Sequence, residues 1–154
     1  MQYQEAKAGR TFVARLKDGE DIYACIESIA ERENIEAASV YAIGGIRKGG
    51  VVVGPQDPAS LKDIEGIVRN FDDAREILGV GTIFPRDGKP ALHFHGAMGR
   101  EDNTLVGCPR KEATCFLTLE VVIVEWTGLE AERKPDPESG FALLDMPNAR
   151  KVGE

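Results

Sequence analysis

The chain has 154 residues, 42% of them hydrophobic, which suits one packed domain over 1–154 and excludes a disordered chain. Nineteen basic against 26 acidic residues give a net charge of −7, the wrong sign for a protein that tracks phosphates along nucleic acid. No apolar run approaches the roughly 20 residues of a membrane span.

The opening MQYQEAKAGR lacks the basic-then-apolar order of a secretory signal. With three cysteines, Cys25, Cys108 and Cys115, this predicts free thiols and a cytoplasmic location.

In chain order, Thr11 to Leu16 alternates and reads as a strand ended by Lys17-Asp18-Gly19. From Glu20 to Asn34 the period becomes helical. Ile22, Ile26, Ile29 and Ala30 share one face, with Tyr23 and Cys25 beside it. Asp18 is the expected N-cap, and Glu20 and Asp21 fall in the first turn, where the helix dipole favours acids. Ala37 to Ile46 predicts a strand, which Gly49-Gly50 turns into a second, Val51 to Val53.

Residues 55–65 read as loop and Gly66 to Asn70 as a short strand. Glu76 to Phe84 and Ala91 to Met98 read as strands about the turn Arg86-Asp87-Gly88. Thr104 to Cys108 looks like the return of the latter, and Cys115 to Trp126 is a further long apolar strand. The tail from Glu130 is charged, then briefly apolar at Phe141 to Leu144. One main helix among many strands predicts an α+β domain built on a twisted, largely antiparallel sheet.

The only histidines, His93 and His95, are two residues apart and therefore share a strand face. If the hairpin turns about Glu101-Asp102, paired positions sum to 203, and Cys108 lies opposite His95, roughly 5 Å away. Two imidazoles and a thiolate match a zinc centre with an open fourth position. The same residues also suit plain packing or a surface pair. Cys25 and Cys115 read as core residues.

A hydrolytic or decarboxylating centre needs an acid or base, and Glu120 and Glu76 are the candidates. Glu120 sits within an apolar strand and, if buried, requires a partner. Arg100 and Arg110 flank the hairpin, where they would hold an anionic substrate or keep the hairpin soluble. The adjacent pairs Arg47-Lys48, Arg110-Lys111, Arg133-Lys134 and Arg150-Lys151 read as solvated surface pairs. Gly44 to Gly50 lacks the phosphate-loop order, and Gly79-Val80-Gly81 lacks the third glycine of a dinucleotide fingerprint.

Several segments, in order, resemble the plant-and-prokaryote-conserved family, PPC or DUF296. They are Gly9 to Asp21, Ala42 to Gly45, Glu76 to Ile83, Asp87 to His95, Val106-Gly107, Leu119 to Ile123, and Arg133 through Gly140 to Leu144. The resemblance implies a barrel-like sheet assembled as a homotrimer, with a fold similar to acetolactate decarboxylase and a related metal-dependent ester hydrolase. In many prokaryotic members the His-x-His pair is followed by Gly-Gly-His-Leu. Here that stretch is Gly107-Cys108-Pro109-Arg110, so Cys108 is the residue available to replace the third histidine. The AT-hook of plant members is absent from this sequence.

The function expected is zinc-dependent action on, or sensing of, a small anionic ligand, as a hydrolase or lyase if catalytic. The alternative is a DNA-binding or assembly module.

Overall fold

The structure, a computed structural model, describes residues 1–152 (for Lys111, the backbone alone). Its one helix, α1 (Ile22–Glu33), follows from the period found in the sequence: Ile22, Ile26 and Ala30 are buried on one stripe. The N-cap is Asp21, whose carboxylate accepts from Ala24 N at 2.8 Å. Asp18 instead binds outside the helix, to Arg47 and to the backbone N–H of Leu117 at 2.8 Å. The start is therefore three residues later than expected, and no acid stands in the first turn. Asn34 ends the helix in the left-handed conformation, φ 53°, its N–H reaching Ala30 O and Glu31 O.

The remaining elements are strands: β1 (Gln2–Tyr3), β2 (Lys7–Lys17), β3 (Ala38–Pro55), β4 (Gly66–Phe71), β5 (Arg75–Arg86), β6 (Lys89–Arg100), β7 (Asn103–Thr127), β8 (Glu132–Pro135), β9 (Ala142–Asp145) and β10 (Arg150–Lys151). Six form one antiparallel sheet in the order β2-β7-β6-β5-β3-β4, and β7 pairs with β3 as well. The sheet thus curls back on itself while β2 and β4 remain edges, so the barrel-like expectation holds for its curvature but not for closure. The α+β class with one main helix is as expected.

Two expected breaks do not occur. Gly49-Gly50 does not reverse the chain: both residues continue β3 and pair with Phe71 and Asn70 of β4. The chain from Thr104 to Trp126 is likewise continuous in β7. Glu112 and Leu117 adopt positive φ, 55° and 59°, and the pairing with β3 shifts register four times. These irregularities bend β7 without ending it, a job sequence patterning assigns to loops.

The core lies between α1 and the concave side of the sheet. Phe94, Met98, Leu119, Val121 and Ile123 meet Ile22, Ile26 and Ala30 there. Arg10 fastens the rim, donating from Nε to Glu125 Oε2 at 2.9 Å and from Nη2 to the Glu33 carbonyl at 2.8 Å. The opposite face is exposed and apolar. Register places Val13, Val122, Tyr41, Val80 and His95 in one row across β2, β7, β3, β5 and β6. Val13, Val80 and the neighbouring Leu78 remain 79%, 60% and 68% exposed.

Candidate metal centre

The centre begins with strand alternation. On β6, Leu92, Phe94 and Met98 turn inward, so His93 and His95 must turn outward. Phe94 is fully buried, and its ring occupies space left by Gly79 on β5: a Cβ there would lie 2.0 Å from Phe94 Cζ. The residue between the two histidines is therefore locked, and the two imidazoles are held side by side. Their Nε2 atoms are 3.0 Å apart and the rings meet edge to face, interplanar angle 80°.

The hairpin register is the one expected. Gly96 pairs with Gly107 and Arg100 with Asn103, each sum being 203, and Glu101 takes φ 50° at the turn. Pairing between β6 and β7 stops at Gly96–Gly107. There β7 transfers to β3, and Cys108 pairs with Val52. Gly107 permits the transfer, since a Cβ on it would stand 2.1 Å from the Val52 carbonyl oxygen. Cys108 is buried opposite the histidines, and the ligand atoms of His93, His95 and Cys108 all lie within 4.8 Å of one another.

Where β6 and β7 part, α1 fills the opening. The Tyr23 hydroxyl donates to the Pro109 carbonyl and lies 3.8 Å from Cys108 Sγ and 3.5 Å from the Phe94 carbonyl oxygen. Its ring meets Phe94 edge-on at 6.3 Å. Burial first, then the neighbouring Cys108, hold the Tyr23 phenol well above its usual pKa, so it stays a donor. Glu27 adds a second tie, accepting from Leu92 N at 2.9 Å. For His93, burial first, then the charge of Arg133 and the neighbouring His95, lower the pKa and favour the neutral ring that binds metals.

The three side chains open onto a cleft of about 1050 Å³. Its walls come from β3, β6, β7 and the β8–β9 tail hairpin, and Arg86, Arg110 and Arg133 all line it. Of the two expected anion-binding arginines, Arg110 lines the cleft and Arg100 does not. Arg100 sits near Asp73 at 3.8 Å, within a group that includes Arg75.

Neither glutamate lines the cleft. Glu120 is exposed, not buried, because Leu119 and Val121 take the inward positions; it stands opposite Arg15 and Ile43. Through its partner Ile43 two strands, β3 and β5, lie between it and β6, three spacings or roughly 14 Å. Glu76 is exposed opposite Gly99, four residues from His95 and roughly 13 Å along the strand.

Two cleft residues escaped the sequence reading. Tyr23 carried a signal, since a phenol on an apolar helix stripe must find a partner. Arg133 carried none, because only the tail's return over β5 distinguishes it from Lys134. Lys134 is the exposed pair member expected, bonded to Asp145 at 2.7 Å and Glu132 at 2.8 Å.

All three cysteines are free, as expected. No helix among the described residues is long and apolar enough to cross a membrane.

Solved structures share this architecture, three of them as follows. A metal-containing protein from Archaeoglobus fulgidus is 26% identical, with TM-score 0.81, over 93% of this chain and 98% of that one. A plant- and prokaryote-conserved protein from Pyrococcus horikoshii is 24% identical, with TM-score 0.81, over 94% and 97%. A protein from Bacteroides thetaiotaomicron, named a candidate DNA-binding protein, is 20% identical, with TM-score 0.76, over 92% and 97%. The latter two likenesses concern the fold alone. No curated protein matches the chain. The sequence profile of the Plants and Prokaryotes Conserved domain matches residues 3–127, from β1 to the end of β7, and ends before the tail hairpin. With that profile spanning the curled sheet, α1 and the His-x-His hairpin, this chain belongs to the Plants and Prokaryotes Conserved (PCC) domain family.

Proposed function

We propose that the chain is a zinc-binding protein whose cleft receives a small anionic ligand. The observation that carries this reading is the convergence of His93, His95 and Cys108 within 4.8 Å in an arginine-lined cleft. Nitrogens bonded at 2.0–2.1 Å to a tetrahedral ion stand about 3.3 Å apart. The 3.0 Å between the imidazole nitrogens is close to that spacing. A mixed nitrogen and sulfur donor set favours zinc over magnesium or calcium. The metal-containing relative from Archaeoglobus fulgidus supports the same reading.

When bound, the ion supplies Lewis acidity at its open fourth position. The chain's own residues do the rest. Phe94 fixes the two imidazoles, Tyr23 holds β7 where Cys108 must sit, and Arg110 contributes positive charge beside the centre. With Glu76 and Glu120 outside the cleft, ligand binding and sensing stand ahead of hydrolysis or decarboxylation.

Elemental analysis of protein purified without a histidine tag tests the reading. One zinc per chain is expected, lost in a His93→Ala/His95→Ala variant. Absence of metal, or its retention in that variant, would overturn it.

A second reading, compatible with the first, concerns assembly. The exposed row of Val13, Tyr41 and Val80, with the neighbouring Leu78, is an apolar patch of the kind that marks an interaction surface. We propose that copies of this chain cover it, as the homotrimer that the family resemblance implies. Sedimentation equilibrium gives the answer directly: three times 16.8 kDa is expected, and a monomer at micromolar concentration would contradict it.

A further inference from the structure

The tail brings to the cleft a cation with no counter-charge among the described residues. Arg133 is half-buried on β8. Its Nη2 donates to Thr82 Oγ1 at 3.0 Å, and its guanidinium lies 5.7 Å from the centroid of the Phe84 ring. Its Nε is buried and has no hydrogen-bond partner. Thr82 is the cross-strand partner of His93, so the guanidinium stands one strand from the imidazole pair. Burial lowers the Arg133 pKa, and no described carboxylate offsets that.

Its surroundings repeat the pattern. Among the described residues the cleft lining includes Arg86 and Arg110 but no aspartate or glutamate, in a chain whose net charge is −7. Arg86 reaches only the exposed Asp87, at 3.8 Å. A half-buried guanidinium whose Nε has no hydrogen-bond partner among the described residues is unfavourable, and an oxyanion of the ligand would relieve it. The guanidinium fork matches carboxylate geometry. Beside it the walls turn apolar, with Val106, Phe141 and Leu143. Such walls suit an organic body and offer nothing to an inorganic ion.

We propose that Arg133 anchors the carboxylate of a small organic acid, whose body lies on these apolar walls between the arginine and the metal centre. The inference rests on the reading of this cleft as the functional site, but it does not require the metal. Arg133 lies beyond residues 3–127, the stretch that the family profile matches.

Titration calorimetry with pyruvate, 2-oxoglutarate and inorganic phosphate tests it, on chelator-treated and on zinc-loaded protein. At least one 2-oxo acid should bind the wild type more tightly than phosphate does. Arg133→Gln should weaken that binding at least tenfold, Arg133→Lys should retain part of it, and Arg100→Gln, outside the cleft, should change it less than threefold. Circular dichroism confirms that each variant is folded.

The chelator-treated protein separates the two readings. Arg133-dependent binding that persists in a His93→Ala/His95→Ala variant supports the anchor even if the metal reading fails. Equal affinities in wild type and Arg133→Gln, or no binding of either 2-oxo acid at millimolar concentration, would overturn the anchor whatever the metal result. Tighter binding of phosphate with the same Arg133 dependence would overturn the commitment to a carboxylate.

Discussion

Gly79→Ala is a change of one methyl group on β5 with a consequence for β6. The added Cβ would stand 2.0, 2.6 and 2.9 Å from Cζ, Cε2 and Cε1 of Phe94. Carbon atoms pack at about 3.5 Å, so the ring tip must retreat by about 1.5 Å. Phe94 is fully buried among Met98, Ile77 and Ile83, themselves inaccessible, so the retreat meets other side chains. Overpacking of this kind costs about 1–3 kcal/mol, and removing a strand glycine returns about 0.5–1 kcal/mol. The net expectation is a destabilisation of about 1 kcal/mol, read from urea unfolding at fixed protein concentration.

Phe94→Leu removes the clashing ring tip at its own cost of about 1–2 kcal/mol. In the double variant the two costs should therefore fall short of their sum by about 1 kcal/mol or more. Because Phe94 lies between His93 and His95, Gly79→Ala should also weaken zinc binding, roughly tenfold; metal centres tolerate only about 0.5 Å of displacement. A Gly79→Ala variant within about 0.5 kcal/mol of wild type, or strict additivity with Phe94→Leu, would refute the claim that the glycine makes room for the ring.

Further outcomes follow from other contacts. Tyr23→Phe deletes the hydrogen bond to the Pro109 carbonyl beside Cys108; it should cost about 1 kcal/mol of stability and lower zinc affinity roughly tenfold, by competition with a chromophoric chelator. Glu125, hydrogen-bonded to Arg10, has its pKa lowered from 4.5 to about 2. A carboxylate depressed in this way stabilises the fold above its unfolded value, and that stability is lost as pH falls from 4.5 toward 2. Acid titration of Glu125→Gln should accordingly show a shallower loss over this window, and an unchanged slope would contradict the pairing. Leu78→Asp places a charge on the exposed apolar face and should shift the assembly toward monomer in sedimentation without loss of secondary structure.

The sequence was most legible where one period governs a segment. Alternation on β6 put both histidines on one face, and the short turn at Glu101-Asp102 fixed the register as far as Gly96–Gly107; beyond it Cys108 pairs with Val52 of β3 and not, as expected, with His95. The helix was visible because Ile22, Ile26 and Ala30 repeat at its period, although its cap moved to Asp21. What escaped depends on pairing between distant segments. Gly49-Gly50 has the composition of a turn, yet the pairing with Phe71 and Asn70 keeps it extended. The apolar strand left open whether Glu120 is buried with a partner or faces outward, and pairing across the sheet puts it on the open face. Arg133 shares its dipeptide with an ordinary surface lysine, and only the packing of the tail against Thr82 and Phe84 separates the two.

The central claim is the metal centre, and X-ray absorption at the zinc edge of the purified, zinc-loaded protein tests it most directly. The account predicts two imidazole nitrogens at about 2.0–2.1 Å and one sulfur at about 2.3 Å, with the sulfur shell lost in Cys108→Ala. A spectrum without sulfur in the wild type, or one unchanged by that substitution, would contradict it.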